Sequence, residues 1–179
     1  AAGGGAEFTN HWWAEPMFGF YQMSDEWVLR KHVQMLADAG VDYIVCDTTN
    51  AVTYDVVVQK LLKILDEFYQ SGMTNVPKIA FYTNADSENV MYHIYTKVYK
   101  GKPEYSHLWF NWDGKPMIIG ECSETTKKGK ELHEFFRIKS NQWPTEAKKD
   151  DGWPWMDFND RILTDKAVYG LNGRKEVMN

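Results

Sequence analysis

Residues 41–50 read Val41-Asp42-Tyr43-Ile44-Val45-Cys46-Asp47-Thr48-Thr49-Asn50. A nearly continuous apolar run breaks into polar residues at its end, as a strand buried on both faces does. A patterned segment from Trp27 to Ala39 precedes it, and another from Tyr54 to Tyr69 follows. Helix, strand, helix in that order predicts a parallel sheet with covered faces. Ligands of such sheets lie at the carboxyl ends of the strands, which puts Asp47 and Asn50 where chemistry usually happens.

Working outward, Ser24 is the expected N-cap of the first helix, with Asp25 and Glu26 at the positive end of its dipole. Val28, His32, Leu36 and Ala39 form its predicted stripe, broadened by Trp27, Val33 and Met35, and Gly40 closes it. On that stripe His32 reads as a core histidine. The second helix carries Val57, Leu61, Leu62, Leu65, Phe68 and Tyr69 on one face and ends at Gly72. A second strand is expected over 77–82, ending in Thr83-Asn84-Ala85-Asp86. A third helix begins near Ser87, with Val90, Met91, Ile94, Tyr95, Val98 and Tyr99 on its apolar face and Asp86 supporting its start.

Simple alternation then stops. Residues 108–112 and 115–120 flank Asp113-Gly114, which signals a hairpin, and Pro116 belongs at the start of its strand. A third core strand over 117–120 ends at Glu121. A loop with a short helix is expected over 122–133, a fourth strand over 134–139, and turn-rich sequence after Ser140. This is an α/β chain of parallel strands alternating with helices, either half of a (β/α)8 barrel or a small doubly wound sheet. The chain stops at Asn179 just where another strand would begin, which favours an incomplete TIM-barrel type. Its 179 residues fall short of the roughly 250 of a complete barrel. Residues 1–9 read as a linker or poorly specified end, and 10–179 as one domain. Half a barrel leaves unpaired strand edges, so self-association through them is an expectation.

Composition excludes several classes. The net charge is −5 with no basic stripe, which argues against nucleic acid. No stretch approaches 18 uninterrupted apolar residues, so no membrane span is expected, and no signal peptide is visible. Cys46 reads as a buried free thiol, and a disulfide to Cys122 is left open. No Cys/His spacing resembles a zinc site, and no cofactor is called for. Neither a Ser/His/Asp triad, a nucleophile elbow nor a phosphate-cradling glycine loop is present. Aromatics are the outlier: eight Trp, ten Tyr and nine Phe make 15% of the chain. Several Trp sit in turn-rich segments, at His11-Trp12-Trp13, Trp143-Pro144 and Trp153-Pro154-Trp155. Such rings suit the C–H faces of sugars, and loop packing over a barrel mouth is the other reading.

The order of several motifs carries a resemblance. His11-Trp12-Trp13-Ala14-Glu15-Pro16, Phe18-Gly19-Phe20-Tyr21, Ser24-Asp25-Glu26-Trp27-Val28 and His32-Val33-Gln34-Met35-Leu36 lead into Ala39-Gly40-Val41-Asp42. With Lys115-Pro116-Met117-Ile118-Ile119 and Trp153-Pro154-Trp155-Met156-Asp157, the pattern resembles glycoside hydrolase families 71 and 99 and their bacterial relatives. The resemblance spans residues 10–179. It implies a (β/α)8 barrel acting on an α-linked glycan, in a periplasmic or secreted setting, and a chain lacking the first strand and the last several units. Glu121-Cys122-Ser123-Glu124 has the Glu-x-x-Glu spacing of the family 99 carboxylates. It follows a different strand with no Asn before it, so their role is not carried over.

Glycoside hydrolysis needs two carboxyl groups across the scissile bond. Asp47 and Glu121, each ending an apolar strand, are the candidate catalytic pair, with loop fixing as the alternative for Asp47. Asn50 and Asn84 end successive βα loops, where their amides suit sugar hydroxyls or turn stabilisation. His11, Trp12 and Trp13, Trp153 and Trp155, and Tyr21 with Asp25 complete the candidate carbohydrate-binding set. The expectations are a glycoside hydrolase, a non-catalytic carbohydrate-binding protein, or one part of a larger enzyme with its catalytic residues elsewhere. A flavodoxin-like binding domain is a distant further alternative.

Overall fold

A computed structural model describes residues 16–143 and 149–154. The elements run α1 (Glu26–Asp38), β1 (Tyr43–Thr48), α2 (Asp55–Gln70), β2 (Lys78–Thr83), α3 (Ser87–Ile94), β3 (Asn111–Trp112), β4 (Lys115–Ile119), α4 (Lys127–Phe135), β5 (Arg137–Gln142) and β6 (Gly152–Pro154). A π-helical turn at Tyr95–Tyr99 extends α3, and a 3₁₀ segment at Pro103–Leu108 leads to β3. The sheet order is β1-β2-β4-β5-β6, parallel throughout, with β3 added antiparallel to β4 as a hairpin. Asp113 and Gly114 both take positive φ, 51° and 80°, the conformation a two-residue primed turn demands. The parallel strands curl into a half-barrel with helices packed on one side.

Two apolar clusters divide the sheet faces. The larger lies between strands and helices and contains Leu62, Leu65, Ile79, Phe81, Met91, Ile94, Tyr99 and Ile118. The smaller lies on the inner face and joins Ala80, Tyr82, Met117, Ile119 and Trp153, with Tyr43, Val45, Phe110 and Trp112 against it. Period-two alternation explains the split: Ile79 and Phe81 point to the helices, Ala80 and Tyr82 inward.

The inner face also holds a buried charge. Lys139 is 1% exposed. Its Nζ lies 2.9 Å from Asp151 Oδ1, and 5.2 Å and 6.0 Å from the ring centres of Trp112 and Trp153. Arg137 donates to both Asp151 oxygens, at 2.6 and 3.1 Å, and to Asp113 at 3.1 Å. This network ties the β3–β4 turn to the segment entering β6. Burial raises the Asp151 carboxyl, but hydrogen bonds from Arg137 and Lys139 outweigh it and leave the group below its ordinary range.

Several sequence expectations are corrected. Asp25, not Ser24, caps α1, accepting from the N–H groups of Trp27 and Val28 at 2.9 and 3.2 Å. The buried stripe of α1 is Val28, Val33 and Ala37, while Ala39 is exposed and His32 is partly covered by Phe18 and Tyr21. The short helix runs on to Phe135 as α4, which pushes the fourth parallel strand to Arg137–Gln142. A further parallel strand, β6, follows within the stretch read as turns. Both cysteines are free. No helix among the described residues is long and apolar enough to cross a membrane.

Candidate functional site

The carboxyl ends of β1, β2, β4 and β5 bring Asp47, Asn84, Glu121 and Asn141 to one end of the sheet. Register places them: Tyr82 pairs with Ile119, and Ile119 with Lys139. Two residues further on, Asn84, Glu121 and Asn141 therefore stand level on neighbouring strands. Asp47 pairs with Tyr82, one inward-facing layer lower. Gly120 makes the close approach of β2 and β4 possible. A Cβ there would meet Thr83 Oγ1 at 2.1 Å and Ser87 Oγ at 2.6 Å. Ser87 Oγ instead accepts from the Glu121 N–H at 2.8 Å and shares a 2.7 Å hydrogen bond with Thr83 Oγ1.

A polar network joins these strand ends. Asn141 is 3% exposed. Its Nδ2 donates to the Thr83 carbonyl and to Asn84 Oδ1, both at 3.0 Å. Trp143 Nε1 donates to the same Asn84 Oδ1 at 2.7 Å. Lys149 Nζ donates to Asn141 O at 2.7 Å, Glu121 Oε1 at 3.0 Å and Asn141 Oδ1 at 3.2 Å. The Lys149 backbone is fixed too, its N–H donating to Gln142 Oε1 at 2.7 Å and its carbonyl accepting from Gly152 N at 3.1 Å. A cleft of about 570 Å³ opens beside it, lined by Glu121, Cys122, Glu124, Arg137, Ser140 and Asp151 among others.

The other expected residues fall in different places. Asp47 is exposed, and its Oδ1 accepts from Thr49 N–H and Oγ1 at 2.9 and 2.7 Å, an Asx-type turn. Asn50 is likewise turned into its own loop, donating to Tyr54 Oη at 3.1 Å and accepting from Val52 N–H at 3.1 Å. Asp25 is occupied as a helix cap. Tyr21, 38% exposed, lies edge-on to His32 with ring centres 5.9 Å apart. Trp153 is 2% exposed, packed edge-on to Trp112. Its Nε1 has no hydrogen-bond partner among the described residues. His11, Trp12, Trp13 and Trp155 lie outside the described residues. Asp86 starts α3 with a left-handed φ of 49° and no capping bond to the helix, its carboxylate accepting instead from Asn89 Nδ2.

Sequence reasoning missed Asn141, Lys149 and the role of Trp143. Asn141 and Lys149 sit in a stretch with no apolar period, and only strand pairing reveals them. Among the described residues no group of three or more His, Cys, Asp or Glu side chains is arranged to hold a metal ion. Burial pushes the Cys46 thiol up to about 12. Cys122 is pushed up to about 11 by burial and by Glu88, Glu121 and Glu124. Compared with family models, with curated proteins and with solved structures, the chain matches none.

Proposed function

We propose that this chain is part of a (β/α)8 barrel, glycoside hydrolase-like, acting on an α-linked oligo- or polysaccharide by carboxylate-assisted hydrolysis of the glycosidic bond. The observation supporting this reading is the set of amide, carboxylate and indole groups gathered at the carboxyl ends of parallel strands. Asp47 and Glu121 are the carboxylates it would use. Their strands are separated by β2 and Asp47 stands one layer lower, so their backbones lie roughly 12 Å apart at the usual strand spacing and rise.

One observation favours a second reading, carbohydrate binding without turnover. Both carboxylates are exposed, and neither has the apolar pocket that lets a catalytic acid keep its proton. Sugar release from α-mannans and α-glucans, with Asp47→Asn and Glu121→Gln alongside, separates the two. Release by the parent that falls at least about 100-fold in either variant supports the hydrolase. Binding without release supports the second reading, and neither binding nor release by folded protein rejects both.

A further inference from the structure

The network at the strand ends has a fixed polarity, because several members can act in only one sense. The indole N–H of Trp143 is a donor only, so the Asn84 atom facing it must be the carbonyl oxygen. The Thr83 carbonyl is an acceptor only, so the Asn141 atom facing it must be the amide nitrogen. The same nitrogen also donates to Asn84 Oδ1, which therefore receives two hydrogen bonds. Asn141 Oδ1 then faces the Lys149 ammonium, another donor only. Three acceptor oxygens surround the three N–H groups of Lys149, one of them Glu121 Oε1.

Two groups are left over. The Asn84 amide keeps its NH₂, and Glu121 keeps Oε2; none of the described residues bonds to either. Both side chains are exposed, and they end adjacent strands at the same level, about 4.8 Å apart at the backbone. The strand ends thus offer one fixed donor beside one fixed acceptor.

We propose that Asn84 and Glu121 form a subsite reading a vicinal diol, with one hydroxyl accepting from the Asn84 amide and its neighbour donating to Glu121 Oε2. Adjacent hydroxyls match the pair because each is both donor and acceptor. Trp143, Asn141 and Lys149 are positioning residues that act through the other two. The proposal rests on the carbohydrate reading above and adds which part of the sugar is recognised.

Two substitutions invert one output each while keeping the network. Asn84→Asp still accepts from Trp143 and Asn141 but loses its NH₂ donor. Glu121→Gln still accepts from Lys149 but loses the outward acceptor. Ligand-observed NMR titration would use methyl α-mannoside and methyl α-glucoside, with their 2-deoxy, 3-deoxy and 4-deoxy analogues. The expected result is that one parent glycoside binds. Each variant then weakens it about tenfold, the loss of one directed hydrogen bond, and so does removal of either hydroxyl of one adjacent pair. Trp143→Phe, which frees the Asn84 amide to rotate, weakens binding less than Asn84→Asp. Parent binding that is unchanged in both variants, or losses that ignore hydroxyl adjacency, overturns the diol subsite and leaves the carbohydrate reading standing. No binding of either glycoside by folded wild-type protein removes both.

Discussion

Replacing Gly120 by alanine tests whether β2 and β4 are held as tightly at their carboxyl ends as the geometry requires. The added methyl would lie 2.1 Å from Thr83 Oγ1, 2.6 Å from Ser87 Oγ and 2.9 Å from Met91 Sδ. Thr83 is fully buried and hydrogen-bonded to the Ile119 carbonyl at 3.0 Å, so it has no open side to move into. Overpacking of this kind costs about 1–3 kcal/mol. Parting the buried Thr83–Ser87 hydrogen bond adds about 1 kcal/mol. The sum, about 2–4 kcal/mol, corresponds to a fall in Tm of roughly 4–16 °C for a chain of this size. Urea denaturation followed by tryptophan fluorescence measures it directly. Thr83→Ala removes the closest atom, so Gly120→Ala in that background should cost clearly less than in wild type. A Gly120→Ala variant within about 0.5 kcal/mol of wild type would refute the tight junction, and with it the level placement of Asn84 and Glu121.

Other outcomes follow from the charged inner face and the thiols. Replacing Lys139 by methionine exchanges a buried cation for an apolar chain of similar length. Asp151→Ala instead removes a carboxylate that Lys139 and Arg137 both bond, so it should be the more destabilising by about 2–3 kcal/mol; equal costs in denaturant melts would show that the ion pair carries no weight. Asp151 has its folded carboxyl lowered, so its contribution is present above the unfolded value near 4 and is lost as pH falls through the folded one. The stability gap between wild type and Asp151→Asn should therefore narrow below about pH 4, and a gap flat down to pH 2 would contradict the assignment. With Cys46 pushed up to about 12, almost none of its thiol is ionised at pH 8. Iodoacetamide should label Cys46 only after unfolding, as read by mass spectrometry, and rapid native labelling would show that the thiol is not enclosed.

The parallel core was legible because β1, β2 and β4 are apolar runs bounded by turn residues and separated by amphipathic helices. Tyr43–Thr48 and Lys78–Thr83 fall within two residues of their expected limits. Reading failed where burial is polar. Lys139, Asn141 and Gln142 are all buried, yet hydropathy assigns them to the surface. What makes their burial tolerable is Asp151, Asn84, Tyr82 and Lys149, and which of these meet is settled by pairing across the sheet. The same cause hid most of the candidate site. Asp47, Asn84 and Glu121 were found from strand ends alone, whereas Lys149 reaches Glu121 across 28 positions of sequence. The stripe of α1 was right at Val28 and Val33 but missed Ala37 and ran on to the exposed Ala39.

The π-helical turn that finishes α3 has a bearing on how this chain tolerates change in length. Its defining bond runs from Lys100 N–H to the Tyr95 carbonyl at 2.7 Å, one residue wider than an ordinary turn. In effect the helix stores a single extra residue. Removing it would tighten the turn to α-helical form and rotate everything beyond by about 100°. Tyr99 would then leave its contacts with Phe81, Trp109 and Phe136, which join helix, sheet and α4. A shorter helix is thus available locally but forbidden by the aromatic ring that follows, so length variants at Tyr95–Tyr99 would survive only with compensating changes at Tyr99 and its neighbours.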